Sequence, residues 1–239
     1  MNRAKIALGH LYLARLERIL GELLVRLSFF TGRLAGKLLF RAQWGYGEPE
    51  WFDHRLHLLD PERWFSDYWT ASADNILKVL PLEGRMLNLC SGDGFYDYWF
   101  YRKRASDIEC IEYNKEVFDF AMRHHAHSKI QYHFGNVLDF PLKPSYYDVV
   151  CIRGAIEHFS PADQIIIFKK SFAALKDGGF FCGDTPAKKI QMDKQLPSHE
   201  YEWSDEEEMR QCLGKVFSTI ESWTIRSADR TTLFWRCQK

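Results

Sequence analysis

From residue 84 onward, short apolar runs alternate with amphipathic stretches, and this rhythm limits what the chain can fold into more than any other feature. The runs are 85–90 (RMLNLC), 107–112 (DIECIE), 129–134 (KIQYHF), 147–152 (YDVVCI) and 178–184 (GGFFCGD). Runs of this length, bounded by turn formers, suit strands buried on both faces. Helices are expected between them at 95–104, 114–126 and 161–175, the last with Ser160 as cap and Pro161 at the first helical position. Strand and helix in alternation predict a doubly wound, mostly parallel sheet with helices on both faces. The tail departs from the pattern. A helix at 204–213 is expected to open with Ser204 as cap and Glu207 three residues on. Strands at 216–226 and 231–237, joined by the polar turn Ser227–Arg230, predict an antiparallel hairpin at one sheet edge. Seven strands result.

The N-terminal part has another character. Residues 1–44 carry eight basic side chains against Glu17 and Glu22, although the whole chain is balanced at 32 basic and 32 acidic residues. Leu8, Tyr12, Leu16, Ile19, Leu23 and Leu27 recur at steps of three or four, which predicts an amphipathic helix over 4–29. Two uses stay open for it: packing on a protein surface, its own or a second copy's, or lying on an anionic membrane surface. Eight aromatic residues follow within 44–69, from Trp44 to Trp69, broken by Gly45, Gly47, Pro49 and Pro61. They serve either to anchor the extension or to wall an acceptor pocket. The expected organisation is a basic helical extension at 1–43, an aromatic-rich connecting segment or lid at 44–80, and an α/β domain at 81–239.

Six cysteines stand far apart with no CxxC pair, so neither a zinc site nor a redox pair is expected, and no metal is assigned. Four of them fall in the apolar runs, a usage that suits a reducing compartment. No apolar stretch is long enough to span a bilayer, and no signal peptide is expected. The expected location is cytoplasmic, with a peripheral place at the inner membrane surface as the variant that the basic helix suggests.

The chemistry concentrates after the first strand, at Asn88-Leu89-Cys90-Ser91-Gly92-Asp93-Gly94. Glycines there let a ligand approach the backbone, and the helix that follows presents free amides. Glu112 ends the next strand 20 residues after Gly92, where a carboxylate can accept the hydroxyls of a ribose. The two features together predict nucleotide binding. Dinucleotide sites carry a third glycine where this chain has Asp97, so a ligand without a pyrophosphate is favoured.

With these motifs in place, residues 85–184 resemble the core of class I S-adenosylmethionine (SAM)-dependent methyltransferases, above all the broad bacterial small-molecule group. The resemblance rests on Asn88, Ser91-Gly92-Asp93-Gly94, Glu112, Gly135-Asn136-Val137, Tyr147-Asp148-Val149-Val150, Ile156-Glu157-His158-Phe159 and Leu175-Lys176-Asp177-Gly178-Gly179, all in the family's order. Asn88 stands where the family has a carboxylate, Cys90 where it often has a glycine, and Asn136 where Asp commonly meets the adenine. The resemblance implies a Rossmann-like α/β fold with SAM as cofactor. It assigns cofactor contacts to Asn88, Cys90, Ser91, Gly92, Asp93, Gly94, Glu112, Tyr113, Asn136, Val137 and Arg153.

A sulfonium is already a good leaving group, so methyl transfer needs mainly positioning, helped by a base within reach of a hydroxyl acceptor. His199, His158 and Glu200 are the candidates, on loops expected at the carboxyl edge of the sheet. The cluster His124, His125 and His127 is expected to be a solvated helix end. The acceptor is expected to be a small molecule, a glycan or a lipid-linked compound, methylated on oxygen or nitrogen. Nucleic acid is disfavoured, because the basic residues sit on an apolar helix and no Asn-Pro-Pro-Tyr or Pro-Cys segment is present. Two other readings are a non-catalytic SAM-binding scaffold and an NAD(P)-dependent oxidoreductase, the latter opposed by Asp97.

Overall fold

A computed structural model describes residues 3–45, 51–59, 67–188, 196–227 and 230–239. Much of the aromatic stretch, including Tyr46, Trp64 and Phe65, lies outside the described residues, as does the middle of the Ser227–Arg230 turn. The chain divides into two compact units, Met1–Phe65 and Ser66–Lys239.

In the first unit, α1 (Arg3–Trp44) is a single helix of 42 residues, considerably longer than the expected 4–29. Good helix formers continue past Phe30 without a proline, so nothing stops it until Gly45, whose N–H bonds back to the Arg41 carbonyl at 2.9 Å. Leu16, Leu20, Leu24, Leu27 and Phe30 on this helix are all exposed. A short helix, α2 (Leu56–Leu59), follows; a methyl group on Gly32 of α1 would meet the Leu59 carbonyl oxygen at 3.0 Å.

The second unit begins with α3 (Asp67–Leu77) and is built on a seven-stranded sheet. Its strands are β1 (Gly84–Leu89), β2 (Ala105–Glu112), β3 (Ile130–Phe134), β4 (Tyr147–Arg153), β5 (Leu175–Pro186), β6 (Thr219–Arg226) and β7 (Thr231–Gln238), in the spatial order β3-β2-β1-β4-β5-β7-β6. The first five are parallel, and β7 runs antiparallel to both β5 and β6, as the tail hairpin predicts. Strand order reverses between β1 and β4, the place where doubly wound sheets open a crevice at the carboxyl ends of their strands.

The period of two along each strand sorts the core into two layers. Met86, Ile108, Cys110, Val149 and Cys151 face one side, with Ala73, Ile76, Phe95, Tyr96 and Tyr101 packed on them. Leu87, Leu89, Ile111, Val150 and Ile152 face the other, under Ile167, Phe168, Trp203 and Met209.

Some boundaries differ from the expected ones. The helix expected at 95–104 is α4 (Phe95–Trp99) followed by a 3-10 turn (Tyr101–Lys103). Tyr96, Phe100 and Tyr101 all pack into the same cluster, which a tighter turn achieves better than a straight helix. Helices α5 (Lys115–His124) and α6 (Pro161–Ala174) fall where expected, capped by Asn114 and Ser160. The helix near 204 is α7 (Glu206–Leu213), and its cap is Asp205 rather than Ser204. The reciprocal pair is shifted by one residue: Asp205 accepts from the Glu208 amide at 2.9 Å, and the Glu208 carboxylate accepts from the Ser204 amide at 2.8 Å.

Candidate functional site

Strand β1 runs into a loop whose backbone turns left-handed three times in five residues. Cys90, Gly92 and Gly94 have φ of 55°, 59° and 70°. Glycine adopts that region without penalty, whereas Cys90 carries a Cβ into it at a cost of about 1–2 kcal/mol. The two glycines differ in surroundings. A Cβ on Gly94 would stand 2.1 Å from the Tyr132 hydroxyl, while among the described residues nothing lies within 4 Å of the same position on Gly92. Gly94 is needed for packing, and Gly92 opens onto free space.

Glu112 closes the other side of that space. One carboxylate oxygen accepts the Gly92 amide at 2.9 Å and the other accepts the Asn114 amide at 2.9 Å. Burial raises its pKa, and the amides of Asn114, Gly92 and Tyr113 offset part of that rise. Tyr113 is 69% exposed beside it. Asn136 is exposed after β3, its side-chain oxygen accepting the Leu138 amide at 3.0 Å, and Val137 next to it is buried in the core. Loop, Glu112, Tyr113 and Asn136 thus share the carboxyl edge of β1, β2 and β3.

Asn88 and Asp93 are turned elsewhere. The buried Asn88 amide donates to both carboxylate oxygens of Asp97, at 3.0 and 2.9 Å, and its oxygen accepts the Cys151 thiol at 3.2 Å. Burial pushes Asp97 up to about 7 against the pull of Asn88 and Arg153. Asp93 is buried, accepting the Phe95 amide at 3.1 Å, and its carbonyl accepts the Nδ1–H of His125 at 2.6 Å. His124 ends its helix exposed, as expected, but His125 is buried among Phe95, Tyr98 and Phe120, so the cluster is solvated only in part. One of its members braces the loop from behind. Arg153 ends β4 with its guanidinium 3.5 Å above the Tyr96 ring, bonded to Ser72 at 2.8 Å and paired with Asp184 at 3.4 Å.

A second group forms where β4 leaves the sheet. The 3-10 turn Ile156–His158 follows β4, and the Glu157 carbonyl accepts the amides of Glu200 at 2.8 Å and Tyr201 at 3.0 Å. Gln164 on α6 fixes the same junction, donating to the carbonyls of Ile156, Phe159 and Tyr201 at 3.1, 3.2 and 3.3 Å. These bonds bring His158 and His199 together, ring centroids 4.8 Å apart and nearly perpendicular. Two carboxylates join them. Glu157 is buried and accepts the Thr185 hydroxyl at 2.8 Å; Glu202 is buried and bonded to His199 Nδ1. Burial pushes Glu157 up, and His158 and His199 pull it back. Burial, and then the neighbouring carboxylates of Glu112 and Glu157, raise the Cys90 thiol.

Of the three candidate bases, His158 and His199 therefore meet, while the Glu200 side chain is exposed and only its backbone amide takes part. The sequence named Glu157 only as part of the Ile156-Glu157-His158-Phe159 motif, without a role, and did not single out Glu202. The spacing His199-x-x-Glu202 was available as a signal, but nothing in the sequence ties that loop to the end of β4.

Residues 86–179 match a family model described as a methyltransferase domain. The chain carries a class I SAM-dependent methyltransferase domain. No curated protein matches the chain. Among solved structures, the methyltransferase fold recurs in the YcgJ protein of Bacillus subtilis, at 14% identity and a TM-score of 0.58 over 69% of this chain and 95% of that one. A SAM-dependent methyltransferase from Mesorhizobium loti shares 15% identity, TM-score 0.57, over 73% of this chain and 98% of that one. A phosphoethanolamine N-methyltransferase 2 from Haemonchus contortus, solved with phosphomonomethylethanolamine and S-adenosylhomocysteine, shares 13% identity and a TM-score of 0.61 over 72% of this chain and 52% of that one.

Proposed function

We propose that the methyltransferase domain transfers the methyl group of SAM to an oxygen or nitrogen of a small-molecule, glycan or lipid-linked acceptor. The observation that carries this reading is the pairing of open space over Gly92 with the Glu112 carboxylate bonded to the Gly92 amide. A carboxylate oxygen that accepts one amide has a lone pair left for a ribose hydroxyl. Glu112 is the proposed ribose partner, with Ser91, Gly92 and Gly94 lining the amino-acid end of the cofactor. Tyr113, Asn136 and Val137 are assigned to its adenine side. Asn88, Asp93 and Arg153 act by holding the loop and the β4 end in shape, since their partners lie within the fold, and Cys90 is assigned to the cofactor side of the loop.

When bound, SAM supplies an electrophilic methyl group on sulfur, so the protein has to align the acceptor and see to its proton. The Glu157–His158–His199 cluster is the proposed place for both tasks. It stands at the carboxyl end of β4, the strand paired with β1 up to Leu89–Ile152, where the glycine loop begins. Glu200 is assigned to the rim. A shift in melting temperature with S-adenosylhomocysteine and none with NAD is the test, because a ligand bound only by the folded state stabilises it. No shift with either would overturn the reading.

For the extension, the proposed role is contact with an anionic membrane surface. Its exposed leucines alternate with Arg15, Arg18, Arg26, Arg33, Lys37 and Arg41, a combination suited to acyl boundary and phosphate together. No described helix is long and apolar enough to cross a membrane.

A further inference from the structure

We propose that Glu157, His158 and His199 form a binding site for one divalent first-row transition metal, Zn2+ being the probe of choice. The inference rests on the proposed acceptor site and deepens it, naming what the cluster holds. Each of the three residues offers one ligand atom, and these atoms lie within 4.8 Å of one another. Two imidazoles and one carboxylate are the set that catalytic zinc and facial-triad sites use, leaving positions for water or substrate.

The surroundings of the rings carry the argument further. A histidine that ligates a metal through one nitrogen usually donates its other N–H to a carboxylate or a backbone carbonyl. Both arrangements are present. His199 Nδ1 is bonded to the buried Glu202 carboxylate, and His158 Nδ1 faces the Ser198 carbonyl at 3.2 Å. A carbonyl can only accept, so the His158 proton sits on Nδ1 and the lone pair on Nε2. A carboxylate partner sets the same tautomer in His199. Glu157 is oriented likewise, one oxygen accepting the Thr185 hydroxyl, which leaves the other for a cation. Bonds from Glu200, Tyr201 and Gln164 fix the two backbone segments before any ligand arrives. In an assembled site with bonds near 2.1 Å, ligand atoms stand about 3.0–3.5 Å apart. The exposed His158 ring is the member free to close the difference.

The place of the cluster gives the cation a task. Bound there, it would coordinate an acceptor hydroxyl beside the cofactor loop and lower the pKa of that hydroxyl. The proton passes to water, the oxygen–methyl bond forms, and the electron pair of the sulfur–methyl bond stays on sulfur as S-adenosylhomocysteine leaves. This favours an oxygen-bearing acceptor over an amine.

The test uses the full-length, untagged protein, stripped with EDTA and dialysed, then titrated with ZnCl2 by calorimetry. One Zn2+ per chain is expected, and His158→Ala, at an exposed position, should bind it about 10- to 100-fold more weakly. Glu202→Gln should weaken binding as well, whereas His124→Ala should not. S-adenosylhomocysteine affinity, measured without metal on the same samples, should be equal in wild type and His158→Ala. Absence of a stoichiometric Zn2+, or binding unchanged by His158→Ala, overturns the metal site. Loss of S-adenosylhomocysteine binding in the wild type instead overturns the cofactor reading, and the two failures are read separately.

Discussion

Asn88 and Asp97 are bound to each other beneath the glycine loop, the amide nitrogen of Asn88 lying 3.0 and 2.9 Å from the two carboxylate oxygens of Asp97. Both are buried, the amide at the end of β1 and its acid nine residues on. The loop is anchored by this pair, and the cost of an ionised Asp97 depends on pH.

Folding raises Asp97 from the ordinary 3.8 to about 7. A group whose folded pKa is raised contributes stability below its unfolded value and loses it as pH climbs to the folded one. Stability should therefore fall between pH 4 and 7 by up to roughly 4 kcal/mol from this group, at 1.36 kcal/mol per unit. Asp97→Asn keeps an acceptor for Asn88 and removes the ionisation. Urea denaturation at pH 5 and pH 8 should show the variant gaining on wild type at the higher pH. Parallel curves would mean that Asp97 is not held as described.

The two loop glycines should separate stability from binding. Gly94→Ala places a methyl group against Tyr132 at a positive φ and should cost about 2–4 kcal/mol. Gly92→Ala meets no described neighbour, so it should cost about 1–2 kcal/mol while lowering S-adenosylhomocysteine affinity. Chemical denaturation and calorimetry of both variants check this. Equal losses of stability would remove the distinction.

Much of this arrangement was legible beforehand. The short apolar runs of β1 and β4, the spacing from Gly92 to Glu112 and the short link between β6 and β7 each encode local geometry, and those elements fell into place. The partnership of Asn88 with Asp97 was not legible, because a carboxylate at 97 reads equally as a misfit glycine or as a partner for the strand beneath. The His158–His199 contact was hidden for a different reason. It depends on Gln164 and on the Glu157 carbonyl gathering two loops, and tertiary hydrogen bonds leave no periodic trace. Helix α1 was expected only over 4–29, where the apolar spacing is clearest, yet it continues through Gly32 and Gly36, because an isolated glycine costs a helix only about 1 kcal/mol.

The extension should behave as a surface-seeking helix. The full chain is expected to sediment with vesicles containing phosphatidylserine, less at 0.5 M salt than at 0.1 M, since charges beyond a Debye length are screened. A chain beginning at residue 66 should stay in the supernatant and still bind S-adenosylhomocysteine. Sedimentation unaffected by the deletion would contradict the role given to α1.

The central claim is that Glu112 holds the ribose of SAM opposite Gly92. Calorimetric titration of S-adenosylhomocysteine into wild type, Glu112→Ala, Glu112→Gln and Glu109→Ala tests it most directly. Charge-assisted hydrogen bonds are worth roughly 1.5–3 kcal/mol each, and water partly replaces them, so Glu112→Ala should bind about 10- to 300-fold more weakly. Glu112→Gln keeps a side-chain oxygen for one backbone amide and should retain the loop while still losing affinity. Glu109 pairs with Lys143 at 2.6 Å away from the loop, and its replacement should leave affinity as it is. Equal affinities for Glu112→Ala and wild type would contradict the account.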